Sequence, residues 1–168
     1  YISPCAAAPA SAYEIKLREG WTIQAADKIP AEGQAISVLS YAPQGWTKAA
    51  VPSTVLGALA DTGAYGDILA LKNLEAVSSA PFAGAWWYRK EFTLPAAPGL
   101  SRTRLAFDGI NYSADIWLNG HKVAAASEVK GSFRRFEFDI TGLVKTGRNV
   151  LAVQVFPPKA GDPTIGFV

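Results

Sequence analysis

The sequence predicts an all-β chain, an antiparallel two-sheet β-sandwich with one or two short helical turns. Three observations carry this. Short apolar segments of period two recur along the chain, and a pleated strand sends successive side chains to opposite sides. Turn signals built from Gly, Pro, Asn-Gly and Asp-Gly separate these segments at roughly ten-residue spacing. The strand–helix–strand alternation that a parallel sheet needs is missing.

Residues 13–25 alternate loosely through Ile15, Leu17, Trp21 and Ile23, which predicts a first strand pair broken at Glu19-Gly20. Residues 35–41 form another short apolar run. Residues 46–51 alternate into Pro52, which ends a strand because it has no N–H to donate. Residues 54–63 are the best helix candidate, short, with Ser53 as N-cap and Gly63 closing the end. Residues 64–75 show no clear period and are expected as an ordered loop. Residues 86–94 make a strong strand, with Tyr88, Phe92 and Leu94 on one face and Trp87, Arg89, Glu91 and Thr93 on the other. A turn follows at 95–101.

The organising stretch is 107–123. Leu105 and Phe107 lead into it on one face of a strand, with Arg104, Ala106 and Asp108 opposite. Asp108-Gly109 then predicts a turn. Tyr112, Ala114, Ile116 and Leu118 share the buried face of the next strand, and Asn119-Gly120 predicts a hairpin because both residues accept φ > 0. The expectation is strand, tight turn, strand, tight turn, strand. Residues 133–140 predict a further strand with Phe136, Phe138 and Ile140 inward, 139–147 a single helical turn, and 149–156 a last strand with Leu151, Val153 and Val155 alternating. Pro157-Pro158 ends it, and 161–168 reads as loop.

The 168 residues suffice for one domain with a real core, and 49% apolar against 18% charged residues excludes a disordered chain. The net charge of +2 is too small for a nucleic-acid partner, and Arg134-Arg135 is the densest basic pair. No apolar run is long enough to span a bilayer. The single Cys5 and single His121 exclude an internal disulfide and the usual zinc clusters, so neither metal nor cofactor is expected. The start at Tyr1 and the absence of Met predict a fragment or processed product. Residues 1–12 are expected to be a signal-peptide remnant or a linker: Ala10-Ser11-Ala12 has the form of a cleavage site, which would make the protein secreted or periplasmic. Pro4 before Cys5 fits a lipoprotein cysteine poorly. Residues 13–168 are then a single sandwich domain, truncated at its C-terminal end.

Few residues look chemical. Asp108 and Asp115 are the only tempting carboxylate pair, but Asp108 reads as a turn former and Asp115 as the partner of a cation such as Arg. His121 reads as an exposed turn histidine with no nucleophile or orienting acid. Trp86, Trp87 and Trp117 could stack on sugar rings, or cover a sheet edge or pack on a neighbouring domain. The glycosylation sequon at Asn111-Tyr112-Ser113 reads as chance. No catalytic residue is assigned.

Four segments together resemble a known family: Trp86-Trp-Tyr-Arg-Lys-Glu-Phe92, Phe107-Asp-Gly-Ile-Asn-Tyr112, Ala114-Asp-Ile-Trp-Leu-Asn-Gly120, and Phe138-Asp-Ile-Thr141 with Gly147-Arg-Asn-Val-Leu-Ala-Val153. They are similar in order and spacing to the N-terminal domain of glycoside hydrolase family 2. Val51-Pro-Ser-Thr-Val-Leu-Gly-Ala-Leu59 with Gly63-Ala-Tyr-Gly-Asp67 and Asn73-Leu74 fits the same domain. The likeness runs from Trp46 to Val168 and points to the exo-β-glucosaminidase and β-mannosidase branch. It implies a galactose-binding-like jelly roll that packs on a (β/α)-barrel of the same protein, where two glutamates hydrolyse the glycoside with retention. The carbohydrate substrate would carry β-linked glucosamine or, next, mannose. The resemblance also brings the 64–75 loop to the sugar pocket, making Asn73 and Asp67 candidate substrate-binding residues and Glu75 a weaker one. The main sugar-reaching loop would open with an Asp-Trp pair soon after Gly166-Phe167-Val168. The rivals are a stand-alone carbohydrate-binding module, a domain of a β-mannosidase or β-galactosidase, and a purely structural docking domain.

Overall fold

The computed structural model describes residues 14–63, 65, 77–96 and 102–162. Eight strands and two short helices follow in order: β1 Trp21–Ala25, α1 Gly33–Ile36, β2 Thr47–Ala49, α2 Val55–Ala60, β3 Trp86–Leu94, β4 Arg104–Phe107, β5 Ser113–Leu118, β6 His121–Ala124, β7 Phe136–Asp139 and β8 Gly147–Phe156. All pairings are antiparallel. A six-stranded sheet runs β2-β1-β3-β8-β5-β6 and a two-stranded sheet pairs β4 with β7. The sandwich expected from the two-residue periods is the fold observed.

The core lies between the sheets. The registers Tyr88↔Val153, Ile116↔Val153 and Leu118↔Leu151 place these residues on the inner face of the large sheet. Leu105, Phe107, Phe136 and Phe138 of the small sheet pack against them, with the Phe107 and Phe138 rings edge to face at 6.4 Å. Each such aliphatic or aromatic side chain taken from water contributes about 1.5–3 kcal/mol.

The large sheet is also covered on its outer side, which simple alternation does not anticipate. Trp87, Val150 and Ala152 face away from the main core, yet all are buried. Residues 26–46 fold back over them, bringing Ile29, Ala31, Ile36, Tyr41 and Trp46 against Trp87, Ala152 and Trp117. The apolar run at 35–41 is therefore a cover, partly helical as α1. It sits so close that a Cβ on Gly33 would lie 2.2 Å from the Trp117 indole nitrogen.

Several local expectations change. Asp108-Gly109 does not close a hairpin: β4 lies in the small sheet and β5 in the large one, so 108–112 crosses the sandwich. Ile110 and Tyr112 are buried along that crossing. Asn119-Gly120 does close the β5–β6 hairpin, with φ of 51° and 86°. Residues 14–18 form no strand; instead Leu17 carbonyl accepts from the Trp21 indole N–H and Arg18 carbonyl from Val51 N–H. The cap of α2 is Thr54, whose hydroxyl accepts from Gly57 N–H at 3.0 Å, while Ser53 donates to the Thr54 carbonyl. Gly63 does end that segment, with φ of 79°. The 133–140 strand is shortened to Phe136–Asp139. The helical turn between β7 and β8 is present as Leu143 and Val144 N–H donating to Ile140 carbonyl.

Candidate functional site

Asp108 and Asp115, the carboxylate pair singled out in the sequence, are each held by a neighbour of their own. Asp108 sits on the crossing and pairs with Arg135 at 3.2 Å, both exposed. Asp115 points to the outer face of β5, where it accepts from Lys122 Nζ at 2.9 Å and from Ala126 N–H. Its cation is thus a lysine across the hairpin and not an arginine. The two aspartates share no site. His121 stands exposed on β6, and Asn111 is exposed with its amide oxygen accepting from Ser132 hydroxyl.

The tryptophans are structural. Trp86 is 7% exposed, packs beside Ile23 and Ala58, and donates its indole N–H to Pro81 carbonyl at 3.0 Å. Trp87 is 3% exposed beneath the 26–46 cover. Trp117 is half-buried, with Lys122 Nζ over its ring at 5.0 Å. Trp86 and Trp87 are too deeply buried to offer a free sugar-stacking face, and Trp117 lines a recess on the outer face.

Arg89 organises the outer cover, and sequence reasoning assigned it only to a face. It is 4% exposed. Its Nε donates to Ile36 carbonyl at 3.0 Å, one terminal nitrogen donates to Val38 carbonyl at 3.1 Å, and the other meets Glu91 at 2.9 Å. The planar fork thereby satisfies the Ile36 carbonyl at the end of α1 and shares the Val38 carbonyl with Tyr41 N–H. Glu91 is held in turn by Arg148 at 2.7 Å. The available signal was a strand arginine lying between Trp87 and Glu91 on one face.

The carboxyl groups with displaced acidity all move the same way. The Arg148 hydrogen bond, then Arg89, holds Glu91 below the ordinary range. The Thr141 hydroxyl and N–H do the same for Asp139. The Lys159 N–H and the Lys130 ammonium do so for Asp162. A general acid needs the opposite displacement. Among the described residues, a recess of about 440 Å³ lies on the outer face, lined by Glu32, Trp117, Lys122 and Gln154, and another of about 340 Å³ lies beside Lys130 and Asp162. Among the described residues no group of three metal-ligating side chains exists.

Asp67, Asn73 and Glu75 lie outside the described residues. The described chain on either side brings Tyr65 and Phe82 together, ring centroids 6.3 Å apart, at the edge where α2 packs by Ala58. Residues 1–12 and 166–168 also lie outside.

A two-sheet antiparallel sandwich of this strand order falls in the class of galactose-binding-like domains. The chain belongs to the glycosyl hydrolase 2 galactose-binding domain-like family, whose model matches residues 21–162. It is 37% identical over 150 residues to an exo-beta-D-glucosaminidase of Streptomyces avermitilis, a match covering 89% of this chain and 16% of that protein. Among solved structures, an Amycolatopsis orientalis exo-chitosanase CsxA variant in complex with PNP-beta-D-glucosamine superposes with a TM-score of 0.80 at 34% identity, over 89% of this chain and 17% of that one. A beta-D-mannosidase from Dictyoglomus thermophilum gives 0.63 at 27% identity, over 83% and 15%. The chain therefore spans about one sixth of the length of the curated relatives it matches. The expected family and its exo-glucosaminidase-like branch are borne out.

Proposed function

We propose that this chain is the front sandwich of a larger exo-β-D-glucosaminidase-like glycosidase, where it docks against a catalytic (β/α)-barrel and forms part of the wall of the sugar pocket. The supporting observation is the likeness to exo-glucosaminidases across nearly the whole domain. Hydrolysis by the parent enzyme is assigned to two barrel carboxylates about 5 Å apart, the spacing of retaining glycosidases. The domain supplies scaffold and, through Asn73 and Asp67, hydrogen bonds to sugar hydroxyls. The parent substrate is β-linked glucosamine, as in chitosan oligomers, and the protein is secreted or periplasmic.

The test compares two samples. The full-length protein carrying this domain should release the chromophore from PNP-β-D-glucosamine, and the 168-residue chain alone should stay at the buffer rate. Release by the isolated chain, or silence of the full-length protein towards glucosaminides, would overturn the proposal. Calorimetry of the isolated chain with glucosamine, mannose and their oligomers addresses the binding-module alternative, for which heat of binding would be needed.

A further inference from the structure

The turn at 131–135 is built in a way that nothing among the described residues explains. Phe133 is 83% exposed, against 40% and 44% for Ile15 and Leu39, the other exposed large apolar residues described. Its φ is 58°. A bulky side chain in the left-handed region is a true outlier, because its Cβ crowds the following carbonyl. Surface turns needing that φ use glycine or asparagine, as this chain does at Gly131 and Asn119.

The turn is nonetheless fixed on both sides. Ser132 hydroxyl donates to Asn111 at 3.1 Å. Arg134 donates to Lys130 carbonyl at 2.9 Å and lies over the Phe136 ring at 5.2 Å. Arg135 holds Asp108. The phenyl ring is thus presented on a braced support, which lowers the entropy lost on docking. Asp162 lies close by, held by Lys130 Nζ at 3.0 Å, so the polypeptide C-terminal to Asp162 continues from beside this turn. Its relatives are about six times longer, and in the larger glycosidase proposed above the domain that follows would be tethered near this turn at high effective concentration.

We infer that Phe133 is the anchor by which this domain docks into an apolar recess on the following part of the same polypeptide. The inference rests on the reading of the chain as one domain of a larger glycosidase. Burial of the ring in that recess would offset the left-handed backbone and make Phe133 a hot spot at the centre of the contact.

The test uses the full-length protein with Phe133→Cys, compared with the unsubstituted protein, under a maleimide probe. The new thiol should react at least about tenfold more slowly in the folded enzyme than after urea unfolding, as a docked group does. Equal rates overturn the inference. Protection that appears only when glucosamine is added also overturns it, and assigns Phe133 to sugar contact. A second variant, Phe133→Gly, gives opposite signs. Loss of the anchor should speed proteolytic release of the domain, whereas relief of an undocked, strained φ should slow it. Activity on PNP-β-D-glucosamine is read separately on the unsubstituted enzyme. An inactive enzyme with a protected thiol supports docking and removes only the substrate assignment. An active enzyme with a freely reacting thiol removes docking alone.

Discussion

Asn149 is fully buried on the core side of β8 and leaves no polar atom unmatched. Its amide nitrogen donates to Lys145 and Gly147 carbonyls at 2.7 and 2.9 Å, and its oxygen accepts from Lys145 N–H at 2.8 Å and Asn119 at 2.7 Å. Asn119 in turn donates to Leu143 carbonyl and accepts from Val150 N–H. Asn149→Ala should therefore cost about 2 kcal/mol in urea unfolding, because several buried groups lose partners together; a change within experimental error would show that water replaces the amide. Gly33→Ala is expected to cost about 1–3 kcal/mol through its collision with the Trp117 ring, read by the same melt. Two ionisable residues set opposite pH limits. Glu91 has a folded pKa below its ordinary 4.5, so its contribution is complete above that value and lost as pH falls through the lower folded one. Glu91→Gln should flatten the acid limb of the stability curve. Burial pushes the Tyr88 hydroxyl from 10.0 up to about 12, so its contribution is complete below pH 10 and lost between there and 12. Tyr88→Phe should flatten the alkaline limb.

At the scale of elements, the strands were legible where one side chain in two was apolar, as in β4 and β5, and where an Asn-Gly turn fixed the register. The connection at 108–112 was not. Asp-Gly favours a turn whether the next strand pairs back or crosses to the other sheet, and only the partner strands β7 and β8, far along the chain, decide between these. The outer cover was illegible for a related reason: the 26–46 segment is held by the distant Arg89, and no local period announces that. The hairpin gives a direct check. Gly120 has φ of 86° and its hydrogens face Val38, so Gly120→Ala should cost at least about 1–2 kcal/mol, measured by thermal or urea unfolding. Replacing Arg89 by Lys loses the fork and should expose residues 36–41 to faster amide exchange while the β3–β8 ladder stays protected.

For the molecule as a whole, the family was legible because motifs in β3, β5 and β8 carry both the fold and the likeness. The chemistry was not, since the candidate sugar contacts Asp67 and Asn73 fall outside the described residues and the proposed catalytic carboxylates belong to another part of the protein. What the described residues do carry is a self-contained scaffold. The large sheet is edged by β2, of three residues, and β6, of four, the latter with His121 and Lys122 exposed. Short edges with charged side chains offer little template for another chain. A large sheet bounded in this way offers no adhesive border, so under the proposed function the choice of one particular catalytic body would be written into the few side chains of the contact and not into the edges of this sheet.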